Sequence, residues 1–247
     1  MNTLAESAAT ALRLISSLDP VLLDIVGLSL AVSACACLLA CAGGLVLGAW
    51  LGVVRFPGQG VVLTVLNTML ALPSVVVGLL VYLLLSRSGP LGFLGWLFSF
   101  KAMVVAQAIL VLPVVAALTR QVVVDAERSH GEQLRSLGAG TFMRGLLLTW
   151  DERFALLTIL IAAFGRAVSE VGAVMVVGGN IEGYTRVMTT AIALETSKGD
   201  LPLAVALGIV LLAVVLLLNT LIALVRRWCE RRDAGLAGWL RMPDLTA

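Results

Sequence analysis

The sequence predicts an all-α protein embedded in a membrane, with about five membrane-spanning helices. Of its 247 residues, 60% are hydrophobic and only 13% are charged, which leaves too few polar side chains to cover a water-exposed surface. The mean hydropathy of +1.05 agrees with this. The apolar residues also form long runs, and a helix of about 20 residues crosses about 30 Å of hydrocarbon.

Five apolar runs reach that length, and they lie near 25–52, 61–85, 102–124, 154–178 and 201–225. Each is expected to be a helix, because an isolated strand would leave its backbone groups unpaired in lipid. Two further apolar stretches, 91–100 and 187–194, are too short to cross a bilayer. They leave room for a sixth membrane-associated piece.

Arginines distinguish the two sides of the membrane. They cluster after the third run and in the C-terminal tail: Arg120, Arg128, Arg135, Arg144, Arg153, Arg226, Arg227, Arg231, Arg232 and Arg241. Since basic residues favour the cytoplasmic side, both clusters are predicted to be cytoplasmic and the N-terminus external.

The predicted organisation has three parts. Residues 1–20 form an external lead-in, and residues 21–225 form the transmembrane domain, which includes a cytoplasmic loop over 120–153. Residues 226–247 form a cytoplasmic tail. A cleaved export signal is disfavoured, because Arg13 is the only basic residue among the first 20 and the first apolar run has full span length.

Several functional classes are disfavoured by what the chain lacks. Its one histidine, His130, cannot build a two-histidine metal motif, and no Gly-Lys pair exists for a phosphate-binding loop. No Gly-x-Ser-x-Gly elbow is present, so covalent catalysis is not expected. A net charge of +2 gives no reason to expect nucleic acid as a partner. Cys35, Cys37 and Cys41 are interpreted as small packing residues in the first span.

The loop over 120–153 is longer than a helix hairpin needs, and loops of this length usually have a function. Residues 125–137 favour a helix, Gly138-Ala139-Gly140 interrupts it, and an apolar stripe follows at Phe142, Met143, Leu146 and Leu147. Two short helices meeting at a glycine corner are predicted. Such a corner could dock a protein, lie on lipid headgroups, or be a solvated loop.

The same loop resembles that of binding-protein-dependent ABC importer permeases. The family pattern has Glu-Ala-Ala, three residues, Gly, nine residues, an aliphatic residue, one more residue and Leu-Pro. Here Glu132 and Gly138 match it, as does Leu148 at the later aliphatic position. Gln133-Leu134 replaces the two alanines, and Trp150-Asp151 stands where Leu-Pro is usual.

Other segments resemble the tungstate and molybdate branch of that family, and tungstate permeases most closely. They are residues 67–78, 137–139, 164–173, 178–181 and 185–196. The resemblance implies an inner-membrane permease of a bacterium or archaeon that imports an oxyanion, with tungstate favoured over molybdate or sulfate. It further implies a homodimer, two copies of an ATPase subunit that carry the ATP and Mg²⁺, and an external solute-binding protein. No cofactor is implied for this chain.

Under this resemblance the loop becomes a coupling helix that lodges in the ATPase. The residues implied in that contact are Glu132, Leu134, Arg135, Leu137, Gly138 and Ala139. Gly138 is expected at the corner because it can adopt a positive φ or a crowded backbone. A self-contained channel, an ion-coupled carrier and a membrane scaffold are the alternatives, and a channel has no need of such a corner.

Charged residues inside the fourth run are the second candidate site. Arg166 and Glu170 are four residues apart on one helix face, and each costs about 2.5–3.5 kcal/mol at the bilayer centre if it faces lipid. They are interpreted either as a mutual salt bridge or as a gate, together with Ser169. Pro73 and Ser74 of the second run are pathway candidates with packing as the alternative.

The segment over 179–200 is predicted to be external. Gly178-Gly179-Asn180 favours the end of the fourth span, and the spacing of Val187, Met188, Ala191, Ile192 and Glu195 predicts a short helix. This helix could plug the cavity of a dimer, receive the binding protein, or rest on the membrane surface. Asn180 and Arg186 are the site candidates in this segment.

Overall fold

The computed structural model describes residue 9 and residues 20–240, with side chains to residue 221 and at 223, 224 and 227. The predicted lead-in over 1–20 therefore lies outside the described residues, apart from 9 and 20, as does Arg241. The described helices are α1 Pro20–Val53, α2 Gln59–Leu70, α3 Ser74–Leu85, α4 Phe100–Ser136, α5 Thr141–Asp151, α6 Arg153–Val168, α7 Gly172–Gly178, α8 Met188–Lys198 and α9 Leu201–Leu240. A 3-10 turn at Gly92–Leu94 precedes α4.

The all-α prediction is confirmed for the described part of the chain, which contains no strand. Three helices are long and apolar enough to cross a membrane: α1, α4 and the Leu201–Leu221 part of α9. Two bent pairs, α2 with α3 and α6 with α7, also pass this test when each pair is joined, which gives up to five spans if each pair is one interrupted span. The stretches considered for a sixth span form only the 3-10 turn and α8, which has 11 residues and is too short to cross.

The second and fourth spans are not the continuous helices that their apolar runs suggest. The chain turns by 102° between α2 and α3 and by 55° between α6 and α7. At the first break Pro73 is extended, with φ −63° and ψ 131°, because a proline has no N–H to donate and disfavours helix at the residue before it. The second break, at Ser169–Val171, contains no proline.

A row of glycines brings α1 and α4 into close contact. Gly44, Gly48 and Gly52 follow one face of α1, and a methyl group added at Gly48 would lie 2.5 Å from the carbonyl oxygen of Ala116. Gly44 lies against Val115 of α4 and Gly52 lies against Val123. The residue numbers of the contacts increase together along both helices, so the two helices are parallel. Small residues at this spacing let membrane helices approach closely.

The core lies around this pair. Buried Cys37 and Cys41 of α1 pack with Val111, Val115 and residues of α6, which agrees with their interpretation as packing residues. On the other side α8 and α9 pack through Met188, Ala191 and Leu207. Asp200 precedes α9, and its carboxylate accepts a hydrogen bond from the backbone N of Leu203 at 3.1 Å, which caps the helix start.

Candidate functional site

The predicted corner is built on one long helix rather than on two short ones. α4 has 37 residues and so is about 55 Å long at 1.5 Å per residue, well beyond the hydrocarbon thickness. The prediction of a separate short helix over 125–137 is wrong, because these residues continue the third span without interruption. The corner is therefore joined rigidly to the membrane-spanning part of α4.

Gly138 ends α4 with a positive φ of 79°, as its position in the motif predicts. Its backbone N donates to the carbonyl of Arg135 at 2.9 Å, and the N of Ala139 donates to Leu134 at 3.0 Å. These two bonds form a Schellman motif, in which the left-handed residue is usually glycine. A methyl group at Gly138 would meet no atom within 4 Å, so the backbone conformation rather than crowding accounts for the glycine.

An ion cluster that is half-buried at Glu127 and Arg144 and exposed at Arg135 connects α4 and α5. The Glu127 side chain is only 12% exposed, and its Oε1 accepts a hydrogen bond from Nη2 of Arg135 at 2.8 Å. Nε of Arg144, on α5, lies 3.4 Å from the same oxygen, and this side chain is also 12% exposed. The Arg144 contact is a charge contact without good hydrogen-bond geometry. Gly131 leaves room for the carboxylate, since a methyl group there would lie 2.8 Å from Cδ of Glu127.

The apolar stripe on α5 is exposed. Phe142 is 85% exposed and Leu137, just before the corner, is 81% exposed, while Met143, Leu146 and Leu147 also face outward. Only Leu148 is buried within α5, where it packs with Val53, Val123 and Ala126. The corner thus presents apolar side chains that no described residue covers.

The predicted coupling residues lie together on this corner, with different exposures. Glu132, Arg135, Leu137 and Gly138 are exposed, whereas Leu134 and Ala139 are half-buried. Leu134 packs against the cluster around Val53 and Leu148. Sequence reasoning missed the contact between Glu127 and Arg144, because Glu127 precedes the family pattern and Arg144 is at one of its unspecified positions.

The two helix breaks meet side by side. A methyl group at Gly172, the first residue of α7, would lie 2.7 Å from Oγ of Ser74, the first residue of α3. One turn later, a methyl group at Gly78 would lie 2.8 Å from Cα of Ala173. Pro73 and Ser74 are thereby placed next to the break that contains Ser169 and Glu170.

Glu170 forms hydrogen bonds inside this break and is not paired with Arg166. It is 6% exposed, and its carboxylate accepts a hydrogen bond from the backbone N of Ala173 at 3.3 Å. Thr189 of α8 donates to its carbonyl oxygen at 2.8 Å. Because α6 ends at Val168, the two residues do not share a helix face, and no ion pair joins them in the structure. The salt-bridge interpretation is therefore wrong.

Arg166 and Ser169 lie on the exposed side of the break. The Arg166 side chain is exposed near the end of α6, and Ser169 donates its hydroxyl to the Arg166 carbonyl at 3.0 Å. The positive charge of Arg166 is thus on the outer surface of the chain.

The two site candidates of the 179–200 segment, Asn180 and Arg186, lie in a hydrogen-bonded turn before α8. Nδ2 of Asn180 donates to the carbonyl of Thr190 at 3.4 Å, and Arg186 pairs with Glu182 at 3.2 Å. Oδ1 of Asn180 and Nε of Arg186 are buried without hydrogen-bond partners. The predicted helix is confirmed as α8, whose first turn is buried and anchored by a 2.7 Å bond from the Met188 N to Oγ of Ser29. This turn packs into the core and does not rest on the surface.

The fold and the site together define a class of protein: a multi-pass helical membrane protein with two interrupted spans and a projecting, glycine-cornered bend. The family model described as "Binding-protein-dependent transport system inner membrane component" matches residues 44–233. The chain belongs to this family, which confirms the resemblance seen in its motifs. It is a multi-pass inner-membrane permease component of a transport system and not itself an enzyme.

Curated relatives are similar over nearly the whole chain. A tungstate uptake system permease protein of Peptoclostridium acidaminophilum is 40% identical over 226 residues, 90% of this chain and 97% of the relative. A probable anion ABC transporter permease protein of Haloferax volcanii is 42% identical over 205 residues, 81% and 88% of the two chains. The molybdenum transport system permease protein of Escherichia coli K12 is 31% identical over 225 residues, 85% and 94% of the two chains.

Proposed function

We propose that this chain is the permease subunit of an ABC importer for a tetrahedral oxyanion, with tungstate as the first candidate and molybdate or sulfate as the others. The observation that carries the proposal is the 40% identity to a tungstate uptake permease along 97% of that protein. The 31% identity to a molybdenum permease is lower over a similar length, which favours tungstate.

The bend between α4 and α5 is the proposed contact with the ATPase. It presents exposed Leu137, Phe142 and Leu146 next to the exposed charges of Glu132 and Arg135, and an apolar helix edged by charge fits a protein groove. The ion cluster around Glu127 holds α5 against α4, so that a force on α5 displaces α4 as one body. Two ATPase subunits would bind one bend each and supply the ATP and Mg²⁺.

The two helix breaks are the proposed translocation path, lined by a second copy of the same chain. Arg166 cannot face lipid without a cost of about 2.5–3.5 kcal/mol, and in the single chain it is exposed. A homodimer in which Arg166 borders an aqueous path removes this cost. We assign Arg166 and Ser169 to a gate and Pro73 and Ser74 to its lining, with Glu170 supporting the break from behind.

The arginine-rich end is proposed to face the cytoplasm and the α7–α8 side the exterior. This orientation places the N-terminus outside and the tail after residue 225 inside. The turn with Asn180 and Arg186, and the exposed end of α8, would then receive an external solute-binding protein.

Reconstitution tests the proposed function. The chain would be placed in liposomes with its ATPase, its binding protein and tungstate, and uptake measured with and without ATP, with molybdate and sulfate as competitors. Uptake that requires all three proteins and ATP is expected, with tungstate the preferred cargo. Uptake by the permease alone would instead identify a channel or an ion-coupled carrier, and no uptake of any oxyanion would contradict the substrate class.

The ATPase contact is tested by cross-linking. A cysteine at Phe142 is expected to cross-link to the ATPase, whereas a cysteine at the exposed Phe93, in the 3-10 turn before α4, is not. If the two positions cross-link equally, the bend is not the docking element.

A further inference from the structure

A polar cavity lies beside the bend, at the arginine-rich end of α1 and α4. It has a volume of about 470 Å³ and is bordered by the end of α1, the loop that follows it and the extension of α4. Four arginines line it: Arg55, Arg120, Arg128 and Arg135. We call it the arginine cavity. Its acidic lining residues are Glu127 and Glu132, so the cations outnumber the anions.

Two of the four arginines have no carboxylate partner within the described residues. Arg135 is bonded to Glu127 at 2.8 Å, and Arg128 pairs with exposed Asp125 at 3.5 Å. Neither Arg55 nor Arg120 forms an ion pair there. Nε of Arg120 is also buried without any hydrogen-bond partner. A buried donor without an acceptor is costly, and the positive charge of Arg120, which lines the cavity, has no anion to balance it there.

The loop that carries Arg55 is held in place. Gln59 donates from Nε2 to the carbonyl of Leu51 at 2.9 Å and to that of Val54 at 3.0 Å. These bonds satisfy carbonyls at the end of α1 that the helix leaves free, and they fix the loop against α1. Arg55 and Arg120 therefore line the cavity from two separate elements, the loop after α1 and the helix α4.

The size and the donors of the cavity fit a small oxyanion. A water molecule occupies about 30 Å³ in the liquid, so the cavity accommodates a tetrahedral anion together with several waters. Guanidinium groups present planar pairs of N–H donors that match the oxygens of phosphate-like anions. A carboxylate or a neutral solute would leave more of these donors unused.

We propose that the arginine cavity binds a tetrahedral oxyanion group, with Arg120 and Arg55 as its ligands. This site goes beyond the proposed function, which assigns no stable anion site to the permease. Two sources offer the same chemistry: a free oxyanion such as tungstate or phosphate, and the phosphate of an anionic lipid.

The full-length chain, without ATPase or binding protein, would be tested in nanodiscs of phosphatidylcholine. Tungstate, and separately inorganic phosphate, would be titrated by equilibrium dialysis. Saturable binding of one anion per chain is expected. Arg120→Gln should raise the Kd about tenfold or more, as expected for the loss of a charged hydrogen-bond donor. Arg55 is exposed, so Arg55→Gln tests the site with little risk to folding. It should also raise the Kd.

The control is Arg87→Gln, the same change at an exposed arginine in the loop after α3. It should leave the Kd unchanged. A second arm uses nanodiscs that contain phosphatidylglycerol, with bound lipid measured by mass spectrometry. The ligand is the lipid phosphate if two results are obtained. Wild type and Arg87→Gln should retain this lipid while Arg120→Gln loses it, and wild type should bind less tungstate in these nanodiscs than in phosphatidylcholine alone. The proposal is overturned if neither tungstate, phosphate nor phosphatidylglycerol binds in a manner that depends on Arg120 or Arg55.

Discussion

Glu127 is the side chain on which the geometry of the bend depends most. Its carboxylate faces Arg135 of its own helix and Arg144 of α5, and Gly131 leaves space for it. No sequence pattern indicates this cluster, because Arg144 lies on the other side of the glycine corner and only tertiary structure brings it near. By contrast, the positive φ of Gly138 could be predicted, since a helix that ends in a Schellman motif favours glycine there.

Replacing Glu127 by Gln should loosen the bend. The variant removes the negative charge that faces Arg144 across the bend. It should lower the stability of the α4–α5 contact by about 1 kcal/mol, because this contact is an ion pair without a good hydrogen bond. We expect a lower thermal unfolding midpoint and less tungstate imported for each ATP hydrolysed, measured in the reconstituted importer.

Asp125→Asn is the matched control for Glu127→Gln. Asp125 lies on the same helix, but it pairs with Arg128 at the surface, where an ion pair contributes only about 0–1 kcal/mol. Equal effects of the two variants on unfolding and on transport would show that the Glu127 cluster has no special role.

Gly138→Ala should impair coupling through the backbone alone. A left-handed conformation costs an L-residue roughly 1–2 kcal/mol, and the added methyl group meets no neighbour. The strained corner should re-aim α5 and lower the ratio of transport to ATP hydrolysis. Gly140→Ala is the control, because Gly140 has φ −66° and equally open surroundings. A larger loss from Gly140→Ala than from Gly138→Ala would contradict this account.

At the scale of whole helices, the two interruptions of the spans differ in how far the sequence predicts them. Pro73 indicates the bend between α2 and α3, because proline disturbs the helix before it. The break after α6 has no proline, and its charges instead suggested an uninterrupted helix with Arg166 paired to Glu170. The carboxylate of Glu170 accepts a bond from Ala173, and Thr189 binds its carbonyl. The break is thus stabilised by contacts of Glu170 with α7 and α8, which an i,i+4 pattern within one helix does not predict.

The parallel packing of α1 and α4 should be sensitive to a single methyl group. Gly48→Ala places a carbon 2.5 Å from the carbonyl oxygen of Ala116, and such overpacking costs about 1–3 kcal/mol. We expect a lower thermal unfolding midpoint in detergent. Gly27→Ala on the same helix meets no neighbour within 4 Å and should be neutral or slightly stabilising, because alanine favours helix over glycine. The same decrease in both variants would rule out the packing explanation.

At the scale of the molecule, the all-α class and a count of up to five spans follow from composition and run length, because lipid permits few alternatives. The long extension of α4 does not follow from them, since the polar residues after 120 resemble an ordinary loop until the helix is seen to continue to Ser136. The exposure of Arg166 likewise appears only in three dimensions, and it implies that something other than lipid faces this side of α6.

Arg166→Gln should reduce oxyanion transport strongly while leaving the folded yield intact, because the side chain makes no ion pair within the described chain. Arg166→Lys keeps the charge and should retain part of the activity. Uptake assays and the mass of the purified assembly would be measured together. Transport and assembly equal to wild type in Arg166→Gln would exclude both a gate and a contact between copies at this position.

The uncovered apolar side chains of α5 and Leu137 have a consequence for how the protein is made in the cell. If the ATPase covers this bend as proposed, a permease made without it would leave Phe142 and its neighbours exposed. Exposed apolar patches favour aggregation and attract quality-control proteases. Matched production of the subunits would therefore protect the newly inserted chain, and orphan copies would be cleared first.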